Sequence, residues 1–164
     1  MSEGKIADLV RSGMTRFQIG IQSINEETNR SVYHRPFNRT RLLQTIKAMS
    51  KYRWKVQLMY DFILDNPWES DESRLESLRF LRHIPGPRTI NIFSLAVYPG
   101  TTLYRRAIEE GRLLTHGKDH MNDFACTSIN TLFILHARYG GPISIVLALA
   151  RLRKVAWEST RPGF

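Results

Sequence analysis

The chain has 164 residues and a net charge of +9, and its 42% hydrophobic and 24% charged residues are typical of a folded globular protein. Its single cysteine, Cys126, excludes a disulfide framework and any multi-thiolate metal site made by this chain alone. The charge divides into +6 for residues 1–112 and +3 for residues 113–164 without a dense basic tract, so it is compatible with a nucleic-acid partner but favours a generally basic solvated surface.

Short β-branched segments alternate with amphipathic segments along the first 113 residues. The former are typical of buried strands, and the latter carry apolar residues at helical spacing. The predicted order is a helix ending at Gly13, a strand 16–23, a short helix to Tyr33, a helix 40–52, a strand 56–64, a helix 71–84, a strand 89–98 and a helix 102–111. This alternation predicts parallel strands joined by right-handed crossovers.

Capping residues set several of the predicted boundaries. Ser23 and Glu26 have the spacing of a capping box, so we expect Ser23 to accept a hydrogen bond from the Glu26 amide. Ser70 is expected to cap the helix that starts at Asp71, and Pro85-Gly86-Pro87 ends that helix.

The second strand has two unlike faces, because side chains alternate along a strand. Its even-numbered positions from Val56 to Leu64 are all apolar, whereas the odd-numbered positions from Gln57 to Asp65 include three polar residues, Gln57, Asp61 and Asp65. We expect the apolar face to pack on helices and the mixed face to look into a ligand cavity, as in a barrel. Three such units leave open sheet edges, which indicates that neighbouring structure is missing.

Residues 114–164 differ in character and are predicted to form an accessory helical tail, with two short helices on either side of Gly140-Gly141-Pro142. The apolar stretch there is interrupted, so no membrane span is expected. His116 and His120 have helical spacing, but Gly117 weakens a helix and no third ligand is evident, so no metal site is predicted. The N-terminus lacks the apolar block of a secretory signal, and we expect a cytoplasmic protein.

Three polar or turn-forming clusters directly follow the predicted strands, where parallel α/β proteins bind ligands. They are Gly20-Ile21-Gln22-Ser23, Asp65-Asn66-Pro67-Trp68-Glu69 and Tyr98-Pro99-Gly100-Thr101. Each cluster alone is better explained by helix caps and turns than by ligand binding. In succession, with Arg35 between the first two, they resemble the second half of the core domain of the radical S-adenosylmethionine (radical SAM) superfamily, above all members with a cobalamin-binding domain.

The resemblance covers roughly residues 6 to 113. It implies the C-terminal half of a partial (β/α)6 TIM-type barrel, in which three parallel β-α units (residues 1–113) are followed by the small helical tail (residues 114–164). The family's C-x3-C-x2-C motif, which holds a [4Fe-4S] cluster after the first barrel strand, is absent here. We therefore expect the chain to be inactive alone. Three explanations of the missing half remain open: a gene fragment, a start placed too late, or one half of a split enzyme.

The resemblance also assigns candidate binding residues. It places Gln22 and Ser23 near the ribose or methionine part of S-adenosylmethionine and makes Arg35 a candidate for its carboxylate, since a guanidinium pairs both carboxylate oxygens. A surface salt bridge is the alternative for Arg35. Further candidates, on the adenosine side, are Ile63, Asp65, Asn66 and Pro67. The family often has glycine at the position of Asp65. Glu69 is expected to order the loop.

Asp61, Tyr98 and Thr101 are candidates for the substrate side, with an internal hydrogen bond as the alternative for Asp61. The implied partners are a small-molecule substrate and the missing N-terminal half of the barrel. Cobalamin is a further cofactor that the subfamily resemblance suggests, although no cobalamin-binding segment is present.

The implied function is that of a radical SAM fragment which, with a cluster held by the missing half, would generate a 5′-deoxyadenosyl radical for substrate modification. The alternative is a non-catalytic α/β binding module for a nucleotide or RNA. A complete small enzyme of another α/β family finds no support, because no nucleophile elbow, phosphate loop or metal triad is present.

Overall fold

The computed structural model describes residues 1–112, 125 and 127–139. Three parallel strands form one sheet in the order β1-β2-β3, which confirms the predicted α/β class and topology. The strands are β1 (Arg16–Gln22), β2 (Gln57–Leu64) and β3 (Thr89–Ser94). The helices are α1 (Glu3–Arg11), α2 (Glu26–Ser31), α3 (Arg39–Ser50), α4 (Asp71–Phe80), α5 (Thr102–Glu109) and α6 (Ser128–Tyr139).

The central strand β2 has the two faces that its sequence predicts. Leu58, Tyr60 and Phe62 are at most 1% exposed, whereas Met59 and Asp61 on the opposite face are half-buried. The apolar face packs against residues from α1, α3, α4 and α6, including Ile6, Ile46, Leu78 and Phe133. Within the described residues the helices thus supply a core on one side of the sheet only, and the mixed face is left open.

Helix α6 joins this same core. Phe133 is fully buried, and its ring lies 5.3 Å from that of Phe62 on β2, measured between centroids. The first accessory helix therefore packs on the sheet; the second, together with His116 and His120, lies outside the described residues. No helix in the described part of the chain is long and apolar enough to cross a bilayer.

Some boundaries differ from the sequence prediction. Ser23 does not cap α2, so the capping-box prediction is wrong: Asn25 is the N-cap and accepts from the Thr28 amide at 2.8 Å. The hydroxyl of Ser23 is instead directed inward, to Glu69. Strand β3 ends at Ser94 rather than Tyr98, and the helix predicted to Ile84 becomes a 3-10 turn after Phe80.

Tyr60 gives a test of the buried face. Its hydroxyl is buried and makes no hydrogen bond with any residue that the structure describes. Burial raises the pKa of Tyr60 to about 12, and the nearby Arg88 opposes this only in part. Because the ionised form is disfavoured in the folded state, the contribution of Tyr60 to stability is present below its unfolded pKa of about 10 and is lost as the pH rises towards 12.

We predict that Tyr60→Phe raises the free energy of unfolding by about 1 kcal/mol at neutral pH, because it removes a desolvated hydroxyl without a partner. It should also flatten the loss of stability between pH 10 and 12, measured by urea unfolding at several pH values. Tyr98→Phe, at a position 61% exposed, is the control and should change neither quantity. A loss of stability in Tyr60→Phe at neutral pH would contradict this assignment.

Candidate functional site

The loop that follows β2 begins at Asp65, which has a φ of +58°. This left-handed conformation favours glycine, the residue that the resemblance implies here. The Asp65 carboxylate is nearly buried and accepts hydrogen bonds from Ser94 Oγ at 3.0 Å, the Ala125 amide at 3.1 Å and Asn130 Nδ2 at 2.5 Å. Asp65 therefore ties the end of β2 to the end of β3 and to α6.

Asn66, the next residue, is fully buried, and its polar groups are bonded within the protein. Its amide donates to Tyr33 Oη at 3.3 Å, its side-chain oxygen accepts from the Trp68 amide at 3.0 Å, and its backbone carbonyl accepts from Arg74 at 2.8 Å. Burial, reinforced by the charge of Glu69, raises the pKa of Tyr33 well above its ordinary value, so the phenol stays protonated. Asn66 thus holds the loop in place.

Glu69 ends this loop and accepts hydrogen bonds from two serines. Ser23, after β1, donates to Glu69 Oε1, and Ser73 on α4 donates to the same oxygen at 2.5 Å. The Ser23 hydroxyl also accepts from the Asn25 amide at 3.0 Å. Glu69 therefore orders the loop, as expected, and joins the ends of β1 and β2.

Helix α5 holds the same loop from outside. Trp68 Nε1 donates to Glu110 at 2.7 Å, and the guanidinium of Arg106 lies 4.8 Å from the Trp68 ring centroid. Hydrogen bonds from Arg106 and then Trp68 lower the pKa of Glu110. Arg112 adds a hydrogen bond to the carbonyl of Pro67. The loop backbone is therefore fixed before any ligand binds.

A polar row crosses the open face of the sheet at mid-height. Asp61 of β2 accepts from Gln18 Nε2 of β1 at 2.7 Å and from Asn91 Nδ2 of β3 at 2.8 Å. Asn91 is the register partner of Asp61 on β3, whereas Gln18 is the partner of Met59 and reaches Asp61 diagonally across β1 and β2. Asp61 thus has internal hydrogen bonds and still lies half-buried on the open face.

Gln22 and Arg35 lie above this row, at the carboxyl end of β1. Arg35 donates to Gln22 Oε1, and a Cβ on Gly20 would lie only 2.6 Å from Gln22 Nε2. The absence of a side chain at Gly20 therefore lets the Gln22 amide lie flat against the strand. Arg35 is exposed and makes no ion pair with any described residue, so its guanidinium can still pair with a ligand anion.

The structure divides the sequence-predicted site residues into two sets. Ser23, Asp65 and Asn66 are buried, and their side chains are bonded within the protein, so as binding residues they remain predictions. The residues that are exposed or half-buried near the carboxyl ends are Gln22, Arg35, Asp61, Ile63, Pro67, Tyr98 and Thr101. Among these, Thr101 caps α5 by accepting from the Tyr104 amide at 3.2 Å.

A pocket of about 790 Å³ lies beside Arg35 and away from the sheet. It is lined by Glu26, Glu27, Arg30, His34, Arg35, Pro36 and Phe37. Its two glutamates balance its two arginines, and Glu27 already pairs with Arg30, so the lining has no excess of positive charge that would favour a carboxylate ligand.

Sequence reasoning missed Gln18, Asn91 and Asn130. The first two share the period-2 register of Asp61 and could have been found by extending its face to the neighbouring strands. Asn130 lies on a helix 65 residues away from Asp65, and nothing local in the sequence indicates that contact.

No protein-family model and no curated protein sequence matches this chain. Its structure is similar to that of the archaeal Methanocaldococcus infernus Elp3 with an N-terminal deletion of residues 1–46, with a TM-score of 0.51 and 20% sequence identity. The match covers 83% of this chain and 29% of that chain, so this chain spans less than a third of the similar protein. The likeness supports the fold, a part of a TIM-type barrel with an open sheet.

We predict that Asp65→Asn lowers the free energy of unfolding by about 1 to 3 kcal/mol. The new amide would direct its N–H groups at one of the donors that now bond the carboxylate, from Ser94, Ala125 or Asn130. Urea unfolding measures the change. Asp71→Asn, whose side chain is 72% exposed, is the matched control and should change stability by less than about 0.5 kcal/mol. Equal stability of Asp65→Asn and the parent would contradict an anchoring role for Asp65.

Proposed function

We propose that this chain is a radical SAM-related half-barrel that binds S-adenosylmethionine on the open face of its sheet. Elp3, whose fold it shares in part, is a radical SAM superfamily member. The observation that carries the proposal is the one-sided sheet. Its helices cover one face, while the opposite face has a cross-strand polar row and, at its carboxyl end, an exposed arginine.

The residues of the open face suit the chemical parts of S-adenosylmethionine. Arg35 supplies a fixed cation for the carboxylate, because its hydrogen bond to Gln22 already orients the guanidinium. Ile63 supplies half-buried apolar surface next to the Asp65 loop for the adenine ring. Asp61, held by Gln18 and Asn91, is the acceptor nearest to the middle of the face and is assigned to the substrate side.

A [4Fe-4S] cluster does not fit the residues of this chain. Such a cluster needs several thiolates, and the chain has Cys126 alone. No group of three or more potential metal ligands occurs within the described residues. The cluster ligands would have to come from another polypeptide segment, and we assign no catalytic step to this chain.

In this proposal the chain binds and orients S-adenosylmethionine and shields it from solvent. S-adenosylmethionine, when cleaved by a reduced cluster in this superfamily, supplies a 5′-deoxyadenosyl radical. The residues of this chain contribute a preorganised binding surface. Asp65, Asn66 and Glu69 fix the loop after β2 through hydrogen bonds within the protein, so the groups that face the ligand keep their positions when it binds.

A second candidate is a binding module for a nucleotide without any chemistry. The observation that favours it is the same absence of cluster ligands. Iron and sulfide reconstitution under anaerobic conditions separates the two candidates when a cluster-bearing N-terminal segment is added. The half-barrel proposal expects a stoichiometric cluster and S-adenosylmethionine cleavage only with that segment present, whereas a simple module gives neither.

We predict that S-adenosylmethionine binds the purified chain without a cluster, and that Arg35→Ala weakens this binding about fivefold. That factor corresponds to the loss of one exposed charge-assisted hydrogen-bonded pair, about 1 kcal/mol. Isothermal titration calorimetry measures both affinities. Adenosine, which lacks the carboxylate, should bind both proteins alike, and Arg105→Ala is the control for the loss of an exposed cation elsewhere. Unchanged S-adenosylmethionine affinity in Arg35→Ala would remove Arg35 from the site.

A further inference from the structure

The amino end of the sheet, opposite to the proposed binding site, is strongly basic. Because the three strands are parallel, the segments that precede them lie together at that end. These segments contain six lysines and arginines and no aspartate or glutamate; they are residues 12–16, 51–56 and 81–88. Charge is therefore not spread evenly over the fold, as a generally basic surface would be.

The carboxyl end lacks such a concentration of cations in the segments that directly follow its strands. The segments that directly follow the strands contain five acidic residues and no lysine or arginine; they are residues 23–27, 65–71 and 95–101. This division along the strand direction gives the chain a positive end that is distinct from its proposed S-adenosylmethionine site. Positive surfaces with this separation attract polyanions.

An exposed tryptophan stands in the middle of the basic end. Trp54, in the segment just before β2, is 78% exposed, the largest value among the exposed large hydrophobic residues of the described chain. The guanidinium of Arg53 lies 5.6 Å from its ring centroid and also donates to the Ser50 carbonyl at 2.9 Å. One side of the indole is thus supported by a fixed cation, and the rest of the ring is open to solvent.

Three further cations belong to the same segments before the strands. Lys55 is exposed and makes no ion pair with any described residue. Arg16, at the start of β1, is exposed and bonds only to the neutral amide of Gln57, at 3.1 Å. Lys51 pairs with Glu3 of α1. Among the described ion pairs, this is the one that involves Arg16, Lys51, Arg53 or Lys55.

We propose that this basic surface, made of Arg16, Lys51, Arg53, Trp54 and Lys55, binds single-stranded nucleic acid. An aromatic ring presented flat beside cations is the arrangement that stacks an unpaired base and holds the flanking phosphates. A duplex keeps its bases stacked on each other and cannot use Trp54 in this way. The proposal is independent of S-adenosylmethionine binding, since none of these five residues is assigned to that site. Arg16 lies at the amino end of the open face, four residues before the Gly20–Asp61 pair.

Fluorescence anisotropy with a labelled single-stranded RNA of about 12 nucleotides tests the proposal on the whole chain. We expect Trp54→Ala to weaken binding about tenfold or more and Trp54→Phe, which keeps a ring, to weaken it less than about threefold. The affinity should fall with salt with a log–log slope near −2, from about three phosphate contacts. Competition by single-stranded DNA of the same length shows whether the site distinguishes ribose from deoxyribose. Competition by this DNA also supports the proposal, which covers both kinds of single strand.

Charge-matched variants test whether the location matters. Lys55→Glu and Arg41→Glu change the net charge equally, but Arg41 lies at the start of α3, away from the amino end. Lys55→Glu should weaken RNA binding clearly more than Arg41→Glu.

Four results would overturn the proposal. The first is that the parent chain does not bind the RNA, and the second is that both charge variants lose the same RNA affinity while Trp54→Ala loses none. The third is that phosphatidylserine vesicles compete as well as unlabelled RNA, which would indicate a lipid-binding surface. The fourth is that the chain self-associates through Trp54 in place of binding RNA.

Discussion

The buried carboxylate of Asp65 is the constraint on which the rest of the site depends. It occupies a left-handed backbone position at the end of the central strand and receives three hydrogen bonds, from β3, from the Ala125 backbone and from α6. A carboxylate removed from water is stable only when such donors are in place. Any packing of α6 that displaced Asn130 would leave this charge poorly solvated, so the carboxyl end of the sheet and the helix are held together.

This constraint explains why the polar loop after β2 is a support rather than a set of free ligand contacts. Asn66 and Glu69 are likewise bonded to Tyr33, Arg74, Ser23 and Ser73 behind the loop. The groups left facing outward are those on the open face of the sheet, where Asp61 and Arg35 are already oriented by neutral amides. A binding surface whose side chains are already ordered loses little conformational entropy when a ligand binds.

Much of the fold could be predicted from local sequence. The alternation in β2 predicted its two faces, and Ser70 with Pro85 predicted the start and the approximate end of α4. The Ser23 capping box failed because Glu69, 46 residues later, competes for the hydroxyl and Asn25 is a sufficient cap. The anchoring of Asp65 by Asn130 could not be predicted, since it depends on where α6 packs and not on any local pattern.

The two ends of the sheet give the chain two separate chemical surfaces. At the carboxyl end, Asp65 and Glu69 serve as internal acceptors, and the exposed Arg35 lies beside Gly20 and Gln22. At the amino end, Arg53 lies over the Trp54 ring, and the segments before the strands contain further cations without acidic residues. The proposed S-adenosylmethionine and nucleic-acid sites therefore lie at different places on one small sheet.

An amide ¹H–¹⁵N NMR titration of the whole chain with S-adenosylmethionine locates the ligand on the sheet. If the ligand binds the open face, the largest chemical-shift changes occur at Gly20, Gln22, Asp61 and Ile63, with little change at Lys55 on the amino end. Largest changes on the helix-covered face or at the amino end, or no saturable change at any residue, would contradict binding at the open face.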